Sequence, residues 1–167
     1  MYRLSAFILA ATAATLLAVP AQAMILKASV GGGLRIDQQY GEDPGRISFE
    51  TSAGIKLPLT SRLWLAPEVG IGIVATDPVV GLVHAGPTLA VDVIRDQLSI
   101  GYKPAFLVRT DLDAVGFSNT LRFGLQNDIV PIDLRYDVLW EGGEPNHVVQ
   151  LRVGFDLGAL IDQGQAA

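Results

Sequence analysis

The sequence contains no cysteine and only two histidines, His84 and His147. The first absence excludes disulfides, thiolate metal sites and a thiol nucleophile, and the scarcity of histidine argues against a histidine-rich metal site. Only 17% of the chain is charged, and after residue 23 no apolar run is long enough for a membrane helix. A chain of 167 residues suits one domain. We therefore expect a single domain without cofactor or metal.

The N-terminal segment has the pattern of a secretory signal peptide. Arg3 precedes an apolar run over residues 4–19, Pro20 ends that run, and Ala21-Gln22-Ala23 supplies the small residues that a signal peptidase needs. An uncleaved anchor is the alternative, but the run is short for a span. Residues 1–23 are predicted to be removed, which leaves 11 of the 12 basic residues against 17 acidic ones. This negative charge argues against nucleic acid as a partner.

Eight stretches along the mature chain alternate apolar and non-apolar positions. This period of two is the signature of strands with two unlike faces, whereas a helix would scatter both stripes around its axis. The stretches lie at roughly 25–36, 47–57, 63–74, 82–94, 98–110, 117–126, 130–140 and 147–157. In the last of them Val149, Leu151, Val153 and Phe155 alternate with Gln150, Arg152, Gly154 and Asp156.

Residues typical of turns separate the eight stretches. Three connections, at 58–62, 95–97 and 127–129, are short, whereas those at 37–46, 75–81, 111–116 and 141–146 are longer and contain Gly, Pro, Asp or Asn. Strands joined in simple sequence by hairpin-length connections favour an up-and-down antiparallel barrel, whose closure leaves no sheet edge. We predict an all-β, eight-stranded barrel over residues 24–158 and a short C-terminal tail at 159–167.

Charged side chains are confined to one face of each predicted strand. Fourteen fall on the non-apolar faces and none on the apolar faces: Lys27, Arg35, Glu50, Lys56, Glu68, Asp92, Lys103, Arg109, Arg122, Asp133, Arg135, Asp137, Arg152 and Asp156. Apolar faces free of charge suit contact with lipid, since Arg or Lys at the bilayer centre costs about 2–4 kcal/mol. A soluble barrel with an apolar core would show the same distribution.

Glycine favours the membrane orientation. Nine glycines share the charged face: Gly31, Gly33, Gly54, Gly70, Gly72, Gly86, Gly101, Gly124 and Gly154. Glycine weakens a strand, but inside an eight-stranded barrel the space only just admits side chains, so small residues make room for charged ones. We therefore predict that the fourteen charged residues form a lumen network, paired because a buried charge needs partners. Trp64, Tyr102, Tyr136 and Trp140 are candidate interfacial anchors, although Trp64 has inward parity.

Two segments carry a resemblance to a known class. Pro67-Glu68-Val69-Gly70-Ile71-Gly72 and Leu151-Arg152-Val153-Gly154-Phe155-Asp156-Leu157 resemble strands of the small outer-membrane barrels of the outer-membrane-protein-A and opacity-protein type, and the resemblance covers residues 24–157. It implies a monomer in a bacterial outer membrane, in contact with lipid and lipopolysaccharide and inserted by the barrel-assembly machinery. The short turns would then be periplasmic and the longer loops extracellular.

A fainter similarity to lipid A deacylase barrels lies in residues 134–136 and 144–146, which bracket the position of that family's catalytic His-x-Ser-Asn. Here residues 137–141 contain neither histidine nor serine, so no catalytic residue is carried over. Ser118 and His84 are weak candidates for a nucleophile and its base, because both are predicted to face inward near the outer ends of their strands. The simpler interpretation makes His84 a hydrogen-bonding group of the lumen and Ser118 a polar filler.

The leading hypothesis is a non-enzymatic outer-membrane barrel with a plugged, charge-paired interior, serving envelope integrity or surface interaction. One alternative is an outer-membrane hydrolase of lipid A or phospholipid with an unrecognised site. A second is a soluble barrel that binds a small apolar ligand.

Overall fold

The computed structural model of the protein describes residues 25–37, 45–76, 79–110 and 114–166, the last five by backbone only, so the predicted signal peptide lies outside the described residues. The elements are β1 (Ile25–Asp37), β2 (Arg46–Pro58), β3 (Leu63–Val74), β4 (Val80–Ile94), β5 (Leu98–Arg109), β6 (Ala114–Leu125), β7 (Val130–Glu141), β8 (Glu144–Asp156) and α1 (Leu157–Ala166). The eight predicted strands are confirmed. Only β6 and β8 begin as many as three residues earlier than predicted.

The strands form a closed antiparallel barrel in the order β1 to β8, with β1 paired to β8. The turns 59–62, 95–97 and 126–129 lie at the same end as the start of β1 and the end of β8, and we call this the terminal end and the opposite one the loop end. At the loop end β7 and β8 are joined by Gly142 and Gly143, whose φ angles are +59° and +92°. Glycine adopts such angles without a steric penalty. The longer loop predicted at 141–146 is therefore wrong, because its last residues continue the ladder.

The apolar faces point outward. Along β8, Val149, Leu151, Val153 and Phe155 expose 46%, 53%, 50% and 57% of their surface, whereas Arg152 and Asp156 expose 7% and 2%. Large apolar side chains are exposed in the same way on each of the other seven strands. Among the described residues, most of the buried side chains are polar or charged. This arrangement contradicts the soluble barrel, in which the aliphatic residues would form the core.

The ladder between β4 and β5 is interrupted at its centre. Pairing stops after Ala85 and Phe106 and resumes at Leu89 and Tyr102 in an unchanged register, which places Pro87 opposite Pro104. Proline has no N–H, so neither residue can donate the hydrogen bond that this position calls for. The result is a local gap in the backbone hydrogen bonds, which we call the proline gap. The ladder between β7 and β8, in contrast, runs without interruption.

Helix α1 follows β8 directly, where a tail was predicted. Asp156 caps it, because its Oδ1 accepts a hydrogen bond of 3.1 Å from the backbone N–H of Ala159. The helix packs against β1, and a Cβ at Gly158 would collide with the backbone of Leu26 and Lys27, so this close approach requires glycine. Among the described residues no helix has the length and apolar character to cross a membrane.

Candidate functional site

The lumen is the candidate site, because every strand contributes charged side chains to it. The structure places all fourteen of the predicted residues on the inward positions of their strands. Lys56, Asp92 and Arg109 are half-buried, and eleven are buried: Lys27, Arg35, Glu50, Glu68, Lys103, Arg122, Asp133, Arg135, Asp137, Arg152 and Asp156. Charged groups buried at this density are stable only if they are paired, so their contacts decide what the lumen does.

Glu68 of β3 lies at the centre of one cluster. Its carboxylate oxygens lie 3.2 Å from Lys27 Nζ, 3.0 Å from Lys103 Nζ and 3.7 Å from the Arg122 guanidinium. Thr88 Oγ1 also donates a 2.8 Å hydrogen bond to Glu68 Oε1. Thr88 of β4 and Lys103 of β5 are the sequence neighbours of Pro87 and Pro104. Glu68 therefore joins β4 and β5 from the inside, beside the proline gap.

Asp133 of β7 lies at the centre of the second cluster. Its two oxygens accept hydrogen bonds of 2.8 and 3.2 Å from Nε and Nη2 of Arg122, and Arg152 donates another. Arg152 also contacts the carboxylate of Glu50 on β2. Arg122 belongs to the Glu68 cluster as well, so these contacts connect Glu68, Asp133 and Glu50 into one network.

Glu50 completes the network near the loop end. Its Oε2 accepts a 2.6 Å hydrogen bond from Arg135 Nη1, and Arg135 Nε donates a 2.7 Å bond to Asp137. His84 Nε2 lies 2.7 Å from Glu50 Oε1. A Cβ at Gly70 would collide with the His84 imidazole, so glycine on β3 allows the ring to cross that strand from β4 to β2. The imidazole of His84 thus lies inside the lumen, against the Glu50 carboxylate.

The terminal end of the lumen contains a residue that the sequence did not reveal. Asp128, in the turn between β6 and β7, is buried and accepts bonds from Ser99 and, at 3.2 Å, from Lys56. The turn enters the lumen because Gln126, Asn127 and Asp128 all have positive φ, which Asn and Asp tolerate better than most residues. A polar run of this kind is the only signal in the sequence that could have indicated it.

Trp64 is also part of the terminal end. Its ring centroid lies 4.6 Å from Lys27 Nζ and 4.5 Å from Lys56 Nζ, which are cation–π distances, and its Nε1 donates a 3.3 Å bond to Asp92. Trp64 is therefore not an interfacial anchor. Its inward parity in the sequence already indicated this position.

At the loop end the lumen contains three further charged residues, Asp37, Arg46 and Glu141, which lie in the predicted loops. Arg35 lies 3.0 Å from Asp37, Arg46 lies 3.9 Å from the same carboxylate, and Arg109 contacts Glu141. Asp37, Arg46 and Glu141 were missed because β1, β2 and β7 each extend one residue further than predicted. Most of the other acidic residues of these loops lie outside the described residues.

The two weak catalytic candidates, Ser118 and His84, are not brought together. They lie on β6 and β4 with β5 between them, and the imidazole of His84 is turned toward Glu50 on the side away from β6. Within the described part of the chain Ser118 Oγ has no hydrogen-bond partner. The geometry therefore lacks the contact that a serine nucleophile needs with its base.

Aromatic side chains lie on the outer wall. Tyr102, Tyr136 and Trp140 are exposed there, and Trp140 packs edge-on against Phe117 at a centroid distance of 6.1 Å. Tyr136 Oη lies 2.6 Å from His147 Nδ1, and the two rings stack. Together they give the wall the amphipathic rings that are typical of a membrane interface.

Solved structures share this fold, although neither a family model nor a curated protein matches the sequence significantly. Neisserial surface protein A matches with a TM-score of 0.53 and 11% identity, over 81% of this chain and 97% of that one. The outer membrane enzyme PagL matches with a TM-score of 0.50 and 10% identity, over 76% and 98%. Identities this low show the fold alone. The predicted eight-stranded antiparallel barrel is confirmed, and PagL, which shares this fold, is an outer-membrane enzyme.

Proposed function

We propose that the protein is a non-enzymatic outer-membrane barrel whose lumen is closed by paired charges, and that it serves envelope integrity or interactions at the surface. The observation that carries this proposal is the connected network of Glu68, Asp133 and Glu50 with their basic partners. Two of its contacts, Glu68 with Arg122 and Glu50 with Arg135, join strands that lie three apart in the barrel. Side chains that bridge such strands must cross the lumen.

The burial of these side chains supports a closed lumen. Glu68, Arg122 and Asp133 expose 3%, 2% and 2% of their surface, so little solvent reaches the middle of the barrel. The recesses at the terminal and loop ends measure about 80 and 50 Å³. Spaces of this size hold a few water molecules. They lie at opposite ends of the lumen, and the buried side chains between them support a lumen without a continuous aqueous path.

Conductance across a planar lipid bilayer tests the closed lumen. The refolded protein should produce no stable channel openings, because the charged side chains that fill its centre are held by their partners. A variant that removes three of them, Glu68→Ala with Arg122→Ala and Asp133→Ala, should conduct if it folds. Glu144→Gln, in an exposed position at the loop end, is the control and should stay closed. Steady channel openings by the unaltered protein would refute the proposal.

Hydrolysis of radiolabelled lipid A or phospholipid tests the absence of enzymatic activity. We expect no turnover by the refolded protein in detergent micelles or in vesicles, because Ser118 lacks a base. Turnover that Ser118→Ala abolishes would establish the hydrolase alternative.

The proposal extends to the partners. The outer wall would contact outer-membrane lipid and lipopolysaccharide, the barrel-assembly machinery would insert the chain, and the protein would act as a monomer. Closure of the barrel supports the last point, since it leaves no strand edge for a second chain to extend.

A further inference from the structure

Helix α1 presents an apolar face on the outside of the barrel. Leu157 continues the outward parity of Val153 and Phe155, and in a helix residues 157, 160 and 161 share one face. Leu157, Leu160 and Ile161 expose 49%, 55% and 59% of their surface. The helix thus adds three exposed aliphatic side chains at the terminal end.

The opposite face of α1 is fixed to the barrel. Gly158 is buried against the backbone of β1, and Ala159 lines the terminal recess together with Lys27, Lys56 and Asp128. The Asp156 cap holds the first turn in place. These contacts determine the rotation of the helix about its axis, so its apolar face must point away from the lumen.

We propose that α1 is an interfacial helix that lies along the membrane at the terminal end, with Leu157, Leu160 and Ile161 among the acyl chains of the adjacent leaflet. The occupant of this face is lipid because the face is continuous with the outer wall, where Leu26 and Phe155 are 66% and 57% exposed beside it. The helix has no lysine or arginine. Its attachment therefore depends on burial of apolar side chains rather than on attraction to anionic headgroups.

Fluorescent labelling tests this position, because a chain without cysteine can be labelled at one introduced site. Leu160→Cys carries an environment-sensitive fluorophore, and Gln97→Cys, in an exposed turn at the same end, is the matched control. Both proteins are refolded into phosphatidylcholine vesicles, with and without bromine on the upper part of the acyl chains.

The label at residue 160 should be quenched about twofold by the brominated lipid and protected from aqueous iodide, since interfacial helices insert to about 5–10 Å. The label at residue 97 should be quenched by aqueous iodide and not by the brominated lipid. Should Leu160→Cys fail to fold, Ile161→Cys replaces it. The proposal would be overturned if the helix label, at residue 160 or at its replacement 161, were quenched by iodide as strongly as the label at residue 97 and were not quenched by brominated lipid. This result is independent of conductance and of lipid hydrolysis, so it does not stand or fall with the closed lumen.

Discussion

The pair β7–β8 and the pair β4–β5 show two ways of holding neighbouring strands together. Between β7 and β8 the backbone ladder is continuous, and Arg152 of β8 also donates a hydrogen bond to Asp133 of β7. Between β4 and β5 the ladder fails where Pro87 and Pro104 face each other. In hydrocarbon, every backbone polar group without a partner costs several kcal/mol. The second pair therefore needs support from elsewhere.

Glu68 provides that support from the lumen. Its carboxylate binds Thr88 on one side of the proline gap and Lys103 on the other. The comparison shows that the lumen network has a structural role besides filling space, because it joins two strands where the backbone cannot. The barrel wall and the charged interior are thus parts of one stabilising system.

The largest effect is expected from Glu68→Ala. The substitution removes the link between β4 and β5 and leaves Lys27, Lys103 and Arg122 with one carboxylate fewer. Breaking a buried ion pair by removal of one partner lowers the free energy of unfolding by about 3–5 kcal/mol. Urea unfolding of the refolded protein measures the change.

Glu144→Ala, which removes an exposed carboxylate at the loop end, is the control for Glu68→Ala and should change the free energy of unfolding by less than about 0.5 kcal/mol. Equal effects of the two substitutions on the free energy of unfolding would show that Glu68 does not stabilise the β4–β5 pair.

A smaller effect is expected when a backbone donor is returned to the proline gap. Pro87→Val supplies an N–H opposite the Pro104 carbonyl and should raise the free energy of unfolding by about 0.5–1.5 kcal/mol relative to a control. The control is Pro145→Val, because Pro145 lies beyond the last described pair between β1 and β8. This substitution raises the conformational entropy of the unfolded chain by the same amount as Pro87→Val, but it restores no hydrogen bond of a described ladder. Hydrogen exchange of the amides near Ala85 and Leu89 should slow as well. If these amides already exchange as slowly as those of the β7–β8 ladder in the unaltered protein, the two strand pairs do not differ in the stability of their backbone hydrogen bonds.

The smallest effect is expected from Ser118→Ala. Ser118 Oγ is buried and makes no hydrogen bond to the described residues, so its removal breaks no link between strands. The free energy of unfolding should change by less than about 0.5 kcal/mol, again by urea unfolding. A loss comparable to that of Glu68→Ala would mean that Ser118 belongs to the network.

The sequence predicts the strands and their faces well, because alternation is a local property. Arg152 and Phe155, for example, are assigned to opposite faces by their spacing alone. The partners of each charge depend on register between distant strands, so the contacts of Glu68 with Thr88 and Lys103, 20 and 35 residues away, could not be derived. The alignment of Pro87 with Pro104 was hidden for the same reason.

Helix α1 was missed for a different reason. Its ten residues include Gly158 and Gly164. Each glycine in a helix is about 1 kcal/mol less favourable than alanine. The cap residue Asp156, followed by apolar residues at 157, 160 and 161, is the signal that could have indicated it. Packing of Gly158 on β1 then compensates for the low helix propensity.

The orientation of the two faces can be tested with the two native tryptophans, because Trp64 is 2% exposed in the lumen and Trp140 is 41% exposed on the outer wall. Trp64→Phe and Trp140→Phe each leave one tryptophan, and both proteins are refolded into vesicles of phosphatidylcholine with brominated acyl chains. A charged lumen and an apolar wall predict strong quenching of Trp140 and little quenching of Trp64. Equal quenching of the two, or stronger quenching of Trp64, would contradict this orientation.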